Sequence, residues 1–242
     1  MNEIITSRNN PKIKEAASYI GGKGDYFLVE GFHMVEMALL HESVLAIFSL
    51  KPYTDKVKNY LVNESVLDKL TSSKTPEGIV ALCKKKDEKS LSSARVLILD
   101  GVADPGNVGT LCRSALAFGF NDIILGERCA SIYNEKTLMA SQGAVFALNL
   151  VKTNDLVSYI KKLRKEEYKI FGTSLSSSYP LSEAHKNVSK MAIILGNEGK
   201  GVRKEVLAET DCNLRIEMEN IDSLNVAMAG SILMYEYRLL SK

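Results

Sequence analysis

Six candidate strands, most of them separated by segments with helical periodicity, fill the second part of this chain. They span residues 96–99, 123–125, 146–151, 169–172, 191–195 and 214–218. The first is a continuous apolar run, which is typical of a parallel strand that helices bury on both faces, whereas the last alternates apolar and polar residues. The alternation of strands with helical segments therefore predicts an α/β fold with a parallel sheet. Ligands of such sheets bind beyond the carboxyl ends of the strands.

The first part of the chain carries a smaller alternating pattern of its own. Asn10 and Pro11 indicate a turn into a helix, and apolar residues then recur at helical spacing until Gly21. Further strands are predicted at residues 26–29, 44–50 and 78–83, with a helix at 30–40. A small α/β unit is expected here.

A charged, serine-bearing run at residues 84–93 separates the two patterns and contains almost no apolar side chains. Such a run is typical of a linker between two cores. We therefore predict a first domain at residues 1–84, a linker at 85–93 and a second domain at 94–242.

Composition restricts the class of protein but does not name a function. The 242 residues are 45% hydrophobic, enough for packed cores, and a net charge of +2 does not by itself indicate a nucleic-acid partner. The polar start of the chain is unlike a secretory signal. The longest apolar stretch, residues 226–234, is shorter than the ~20 residues that span a bilayer. We expect a cytoplasmic protein without a membrane role.

The cysteines and histidines do not follow a metal-site pattern. None of the widely spaced cysteines has the paired spacing of a zinc site, and the chain has only three histidines. We therefore expect no metal, and reduced cysteines that are buried in packing. These cysteines are Cys83, Cys112, Cys129 and Cys212.

Two loops after predicted strands carry unusual residues. Gly196, Gly199 and Gly201 permit positive φ angles or close approach of a ligand, and Ser223 is a candidate cap for the helix that follows. From the residues alone, these glycines could equally be ordinary turn residues. A phosphate-binding Walker loop is excluded because Lys200 is not followed by Ser or Thr. The glycine spacing after residue 99 also does not match a dinucleotide-binding fingerprint.

Three segments together resemble a known family. Residues 196–202, Gly-Asn-Glu-Gly-Lys-Gly-Val, and residues 223–227, Ser-Leu-Asn-Val-Ala, are similar to motifs 2 and 3 of the SpoU/TrmH family. Residues 104–113, Asp-Pro-Gly-Asn-Val-Gly-Thr-Leu-Cys-Arg, resemble motif 1. This family comprises S-adenosylmethionine-dependent RNA ribose methyltransferases of the SPOUT class. The resemblance implies an α/β SPOUT domain with a C-terminal trefoil knot.

The first domain resembles the L30e-like substrate-binding domain that many SpoU enzymes carry. The similarity lies in residues 5–14, 27–31 and 75–81, although His33 stands where the family often has arginine. The resemblance implies that basic residues bind RNA, whereas without it a solvated surface would be the expectation. The RNA-binding residues so predicted are Arg8, Lys12, Lys14, Lys23 and Arg113.

The same resemblance implies a catalytic set of Arg113, Asn107, Glu198, Ser223 and Asn225. Arginine is a poor proton acceptor, so we expect Arg113 to hold the target phosphate and steady developing negative charge while the others position the ribose. Each residue also has a structural alternative. Arg113 could extend to solvent, Asn107 could cap a helix, and Glu198 could be a carboxylate near a helix start.

The cofactor implied by the resemblance is S-adenosylmethionine, held largely by backbone groups in the knot. The residues predicted to bind it are Thr173, Gly196, Asn197, Gly201, Ile216, Met218, Ser223, Leu224 and Asn225. Asn197 could instead be a turn residue. The chain departs from the family at Glu217, where proline is common, and at residues 219–222, which replace a glycine-containing loop.

The final segment indicates self-association. A helix is predicted at residues 224–240, with apolar side chains on more than one face. Because a single core covers only one face, a second partner is expected to cover the other. Small residues at positions 227 and 229–231 would let another helix approach closely. SpoU enzymes form dimers through the knotted domain, with arginine from one subunit near the other's cofactor. The resemblance thus implies a homodimer; a helix buried within one subunit is the alternative.

The resemblance implies an RNA 2′-O-methyltransferase with ribosomal RNA, in particular 23S ribosomal RNA, as its substrate. Three other readings stay open. The first is a SPOUT enzyme that methylates a base of ribosomal or transfer RNA, and the second is a non-catalytic RNA-binding or assembly protein. The third, a small-molecule methyltransferase, is disfavoured by the RNA-binding-like first domain.

Overall fold

The computed structural model describes residues 3–175, 178–184 and 187–238. The chain forms two compact units. The first comprises the described residues up to Asp87 together with Ser131–Phe146, and the second comprises Glu88–Ala130 and the described residues from Ala147 onward. The change at Asp87 falls within the predicted linker. The segment Ser131–Phe146, predicted to belong to the second domain, groups instead with the first unit.

The elements follow one another in alternating order. The strands of the first unit are β1 (Glu3–Ile5), β2 (Tyr26–Glu30), β3 (Val44–Ser49), β4 (Lys58–Val62) and β5 (Ile79–Lys84). The second unit contains β6 (Arg95–Asp100), β7 (Asp122–Leu125), β8 (Asn149–Lys152), β9 (Lys169–Thr173), β10 (Tyr179–Pro180), β11 (Met191–Gly196) and β12 (Cys212–Arg215). The α-helices are α1 (Pro11–Ala17), α2 (Phe32–Leu40), α3 (Glu64–Leu67), α4 (Pro105–Ala117), α5 (Glu135–Ser141), α6 (Leu156–Lys165), α7 (Lys204–Leu207) and α8 (Val226–Glu236).

The sheet of the first unit is mixed. Within the described residues its order is β1-β4-β3-β5-β2, with parallel pairs on the β1 side and antiparallel pairs around β5. The sequence analysis missed β1 and β4. The residue Asn59 explains part of this, because it is buried within β4, where its side chain donates to the Ser49 hydroxyl at 2.8 Å. A buried polar residue hides the apolar alternation on which strand prediction depends.

The segment Ser131–Phe146 supplies α5, a short 3₁₀ helix at Ala144–Phe146 and apolar contacts to the first unit. Phe27 of β2 packs against Tyr133 at 4.7 Å and Phe146 at 6.0 Å between ring centroids. Phe146, predicted to begin a strand, therefore lies in a 3₁₀ helix instead. These aromatic contacts hold the segment to the first unit.

The sheet of the second unit is parallel, as predicted. In the described part of the chain its order is β10-β12-β9-β11-β6-β7-β8. One face packs on α6 and α7 through a core that includes Val96, Ile98 and Ile160. On the other face, α4 and α8 pack together, and Gly230 of α8 lies against Leu111 and Leu195. Helices thus cover both faces, and the carboxyl edge of the sheet is left for loops.

The end of α8 is fixed by a buried arginine. Arg95, 4% exposed, donates from Nε to the Tyr237 carbonyl at 2.8 Å and from its terminal nitrogens to the carbonyls of Ser189 and Val188, each at 2.8 Å. Burial lowers the pKa of Arg95. Because a cation suits the carbonyl end of a helix, this residue ties α8 to the first strand of its unit.

Several predicted boundaries differ from the structure. The last helix begins at Val226 and ends at Glu236, rather than spanning 224–240, and residues 239–240 lie outside the described chain. The strand predicted at 214–218 is Cys212–Arg215. The cysteines have free thiols, but only Cys83 and Cys112 are buried. No helix among the described residues is long and apolar enough to cross a membrane.

Candidate active site

Loops from neighbouring strands meet at the carboxyl edge of the parallel sheet. Asp100, the last residue of β6, is in register with Gly196, the last residue of β11. β9 lies next to β11, and β12 lies next to β9 in the same sheet. Motif 1 follows β6, motif 2 follows β11 and motif 3 follows β12, so the sheet brings the predicted motifs to one edge.

Glu198 gathers donors from two of these loops. Its Oε1 accepts hydrogen bonds from the Asp104 amide at 3.1 Å and from Asn107 Nδ2 at 3.0 Å. Its Oε2 accepts from the Ala103 amide and Asn197 Nδ2, each at 3.2 Å. A carboxylate has about four acceptor positions, and these four donors fill them. Glu198 therefore joins motifs 1 and 2.

The pKa of Glu198 reflects opposing effects. Desolvation by partial burial raises it, but hydrogen bonds from Asn107 and from the backbone of Glu198, Asp104 and Ala103 lower it, and the result is a pKa below the ordinary value of 4.5. Donors aimed at a carboxylate favour its charged form. Glu198 is therefore a stable anion near neutral pH and a poor proton acceptor.

Asn107 extends the same network to motif 3. Its Oδ1 accepts a hydrogen bond from Asn225 Nδ2 at 3.0 Å. Asn225 Oδ1 in turn accepts from the amides of Ala227 at 2.9 Å and Met228 at 3.3 Å, so Asn225 is the N-cap of α8. A chain of bonds thus runs from Asn225 through Asn107 to Glu198 and fixes the orientation of both amide side chains.

The predicted cap at Ser223 is wrong, and the alternative of a capping role for Asn107 is not observed. Ser223 is exposed and does not cap α8, because Asn225 occupies that position. Helix α4 is capped by Asp104, whose Oδ1 accepts from the Asn107 amide at 2.8 Å, with Pro105 as the first helical residue. The Asp-Pro pair was a sequence signal for this cap. The Asn107 side chain is therefore free to bond Glu198 and Asn225.

Arg113 stands apart from this network. It lies on α4, is exposed, and has no hydrogen bond or ion pair among the described residues. Arg113 lies six positions after Asn107 in the helix, which places it about 9 Å further along the axis and roughly 120° around it. The structure therefore brings Asn107, Glu198 and Asn225 together, but not Arg113 or Ser223.

The loop after β11 folds back on itself. Asn197 and Gly201 exchange two backbone hydrogen bonds, of 3.1 and 2.8 Å, and Gly201 has a φ of 68°. A Cβ atom on Gly196 would lie 2.1 Å from the backbone of Gly201 and Val202. Glycine is therefore required at position 196 by the returning chain itself. The side chain of Asn197 also donates, from Nδ2, to the Gly101 carbonyl at 2.9 Å, which links this loop to the end of β6.

The loop after β12 presents backbone donors. Among the described residues, none of the backbone amides of residues 218–224 donates a hydrogen bond. Ile216, Met218 and Leu224 are half-buried beside them. On the neighbouring strand, Thr173 donates its hydroxyl to the Ile194 carbonyl at 2.9 Å, which leaves the hydroxyl with acceptor capacity. Free amides beside apolar side chains fit a ligand that carries both an adenosine and an amino-acid group.

Glu217, where the family commonly has proline, anchors this loop. Its carboxylate accepts from the Leu181 amide at 3.1 Å, from the Ser182 amide at 3.2 Å and from the Ser182 hydroxyl. The Ser182 hydrogen bond, ahead of the opposing desolvation, lowers the pKa of Glu217. Sequence patterns carry no signal for this contact, because its partners lie far apart along the chain.

An ion pair between a buried carboxylate and a partly exposed arginine supports the end of β6. Asp100 is 2% exposed and accepts from Arg203 Nε and from the Arg203 amide, each at 2.8 Å. Arg203 is also the N-cap residue of α7. This pair, absent from the sequence analysis, ties the end of β6 to the chain that leaves motif 2. Within the described residues, no group of three His, Cys, Asp or Glu residues could hold a metal ion.

The predicted RNA-binding residues of the first unit differ in their surroundings. Lys12 forms an ion pair with Glu3 at 2.6 Å, and this hydrogen bond raises the Lys12 pKa. Arg8, Lys14 and Lys23 are exposed, and the described chain offers no partner to their side chains. These three are more available to phosphates than Lys12, whose charge is already compensated.

Known proteins are similar to this chain in sequence and in fold. The family model described as the SpoU rRNA Methylase family matches residues 94–235. A Bacillus subtilis protein named 23S rRNA (guanosine(2553)-2′-O)-methyltransferase RlmP is 37% identical over 97% of this chain and 98% of its own length. The family model covers the second part of the chain, whereas the match to the Bacillus subtilis protein covers almost the whole chain.

Solved structures are similar over the same length. The AdoMet-bound rRNA methyltransferase of Sinorhizobium meliloti superposes with a TM-score of 0.86 at 26% identity and covers 99% of both chains. An RNA 2′-O ribose methyltransferase superposes with a TM-score of 0.80 at 27% identity and covers 97% of both chains. The SPOUT fold class, the RNA ribose 2′-O-methyltransferase activity and the S-adenosylmethionine cofactor predicted from the motifs are confirmed. The chain belongs to the SpoU rRNA Methylase family.

Proposed function

We propose that this protein methylates a ribose 2′-hydroxyl of 23S ribosomal RNA in the cytoplasm. The observation that carries the proposal is the bond chain Asn225–Asn107–Glu198 at the carboxyl edge of the sheet. The Bacillus subtilis relative, whose name specifies a 23S rRNA 2′-O-methyltransferase, supports the substrate. The predicted trefoil knot belongs to the same proposal. The placement of β11 between β9 and β6 supports it.

The polar cluster positions the ribose and does not take up its proton. When bound, S-adenosylmethionine supplies an electrophilic methyl group. Asn225 and Asn107 have fixed orientations, and the remaining amide hydrogen of Asn225 can bond a ribose oxygen. Because the acceptor positions of Glu198 are filled and its pKa is lowered, the proton of the ribose hydroxyl passes to water and not to Glu198.

Arg113 completes this site from a second subunit. Its guanidinium is exposed and unpaired within the described residues, and it does not reach the Glu198 cluster of its own chain. An arginine beside a ribose 2′-oxygen and its phosphate would stabilise developing negative charge. We assign this role to Arg113 of the partner subunit in a homodimer.

The exposed face of α8 supports that dimer. Met228, Ile232 and Tyr235 are 63%, 38% and 48% exposed, and their spacing places them in one stripe along the helix. The small residues do not line this stripe as predicted, because a Cβ on Gly230 would clash with Leu111 and Leu195 of the same chain. Large apolar side chains, and not small ones, therefore form the surface proposed to meet a second copy.

Mapping of 2′-O-methyl groups tests the proposed substrate. Ribosomal RNA from cells with and without this protein should differ at one ribose of 23S rRNA, and purified protein with S-adenosylmethionine should restore that methyl group. Nuclease digestion and mass measurement should place the methyl on the sugar. A methyl on the base, or identical 2′-O maps in both strains, would contradict the proposal.

Subunit mixing tests the shared site. Arg113→Ala and Asn225→Ser proteins should each be inactive, and serine preserves the cap of α8. After the two proteins are mixed and reassembled, one intact site forms in each mixed dimer, so about a quarter of the activity should return. If Arg113 worked within its own chain, no activity would return on mixing.

A further inference from the structure

Arg128 lies in a loop that adjoins the catalytic cluster but carries no family motif. The loop follows β7, and Leu125 at the end of β7 is in register with Leu99 of β6. A Cβ on Gly101 would lie 3.8 Å from the Glu127 carbonyl oxygen and 4.0 Å from Asn197 Cβ. The loop therefore borders the point where Asn197 joins the end of β6, one residue from Glu198.

Hydrogen bonds fasten this loop to the segment after β6. The Gly126 amide donates to the Leu99 carbonyl at 2.9 Å, the Ala130 amide donates to the Val102 carbonyl at 2.9 Å, and the Cys129 thiol donates to Leu99 at 3.2 Å. Bonds therefore hold both ends of residues 126–130. A side chain in the middle of this loop is presented from a fixed backbone.

The residue type at position 128 is not explained by the turn. Arg128 has a φ of 64°, a left-handed conformation that glycine and asparagine adopt much more readily than arginine. Its side chain is exposed and has no hydrogen bond or ion pair among the described residues, and the adjacent Glu127 does not pair with it. A phosphate-binding position requires a free guanidinium on a fixed backbone, and Arg128 provides both. The left-handed φ angle, which other residues adopt more readily, indicates that the arginine side chain has a function of its own.

We propose that Arg128 is a positioning residue that binds a backbone phosphate of the RNA substrate beside the target ribose. This inference rests on the proposed function. Arg128 would contact the RNA from the same subunit as Glu198, Asn107 and Asn225, whereas Arg113 is assigned to the partner subunit. The planar guanidinium can donate two parallel hydrogen bonds to one phosphate, which fixes the register of the strand without reading its sequence.

The test uses the full-length protein and unmodified 23S ribosomal RNA transcribed in vitro. Methylation rates are measured over RNA concentration at several salt concentrations for wild type, Arg128→Gln, Arg128→Gly and Lys165→Gln. Lys165 is an exposed, unpaired cation among the described residues at the end of α6, towards the opposite edge of the sheet. Lys165→Gln therefore controls for the loss of one surface charge.

Both Arg128 variants should raise KM for RNA roughly tenfold, the scale of one charge-assisted contact, with little change in kcat or in S-adenosylmethionine binding. The slope of log(kcat/KM) against log[salt] should become shallower by about one, because one phosphate contact is lost. Lys165→Gln should match wild type. Because glycine suits the left-handed turn, a normal KM and salt dependence in Arg128→Gly would show that the residue serves only the turn and would overturn the inference. If wild type itself fails to methylate the transcript, the proposed function fails first.

Discussion

At the scale of single residues, Glu198 is a connector between loops. Its four donors come from the backbone or side chains of Ala103, Asp104, Asn107 and Asn197. Glutamine would turn an amide group towards two of these donors and leave them unpaired. The carboxylate is therefore required for the geometry of the site, even though it does not accept the ribose proton.

Glu198→Gln should lower methyl transfer by about 10²-fold, because a small displacement of Asn107 and Asn225 is enough to misplace the ribose. Single-turnover rates with saturating RNA and cofactor measure this effect. Glu166→Gln, which removes an exposed carboxylate at the end of α6, is the matched control. Turnover of Glu198→Gln at the wild-type rate would show that the hydrogen bonds are dispensable.

The pH dependence of stability should change in the same variant. Because the pKa of Glu198 is lowered by folding, its carboxylate contributes stability above pH 4.5, and this contribution is lost as the pH falls through the lowered pKa. The difference in Tm between wild type and Glu198→Gln should therefore be largest above pH 4.5 and shrink in more acidic solution. A difference that grows on acidification would contradict this assignment.

Arg113→Ala should leave S-adenosylmethionine binding unchanged and lower methyl transfer by at least ~10²-fold, because a donor to developing negative charge is lost. Isothermal titration measures the first quantity and single-turnover kinetics the second. Arg113→Lys keeps the charge but not the planar guanidinium, so its rate of methyl transfer should lie between those of wild type and Arg113→Ala. If Arg113→Lys were as slow as Arg113→Ala, positive charge alone would contribute nothing to the rate of methyl transfer.

At the scale of elements, α8 combines an intrachain face with an exposed one. Its inner face packs Gly230 on α4 and β11, its first residues are capped by Asn225, and its end is held by Arg95. The sequence could predict that the helix is apolar on more than one side. It could not predict which side faces its own chain, because that choice depends on the distant residues Leu111 and Leu195.

Met228→Glu should shift the protein from dimer to monomer, because it places a charge in the proposed interface while costing the isolated subunit little at a 63% exposed position. Sedimentation velocity over a dilution series measures the change. Met139→Glu is a closely matched control, since Met139 is 64% exposed but lies on α5. If both variants sediment as wild type does, the α8 stripe is not the dimer surface.

At the scale of the whole molecule, local patterns predicted the parallel sheet and the placement of the motifs at its carboxyl edge. The apolar runs at residues 96–99 and 191–195 were sufficient for this prediction, because buried parallel strands are apolar along their whole length. The membership of Ser131–Phe146 in the first unit was not predictable in this way. Tyr133 and Phe146 find their partner Phe27 more than a hundred residues earlier in the chain, and no local spacing encodes that contact.

Deleting residues 1–87 should destabilise the remaining protein. The truncation removes Phe27, which packs against Tyr133 and Phe146, and so exposes an apolar surface on this segment. Limited proteolysis should cut within residues 131–146 much faster than in the full chain. Replacing residues 131–146 of the truncated protein with a Gly/Ser linker of the same length should restore resistance. Equal protease resistance of the simple truncation and the full chain would show that the segment does not depend on the first unit.

The first unit is made of two separate segments of the chain, so its folding depends on the order in which the chain is synthesised. A ribosome that has produced residues 1–87 has not yet made the segment that covers Phe27, which arrives only with Ser131–Phe146. At ordinary rates of elongation this interval lasts roughly 3–12 s. The amino-terminal unit therefore cannot finish folding as an independent early domain during translation. Its completion waits for the first strands of the methyltransferase sheet, so the two units mature together on the nascent chain.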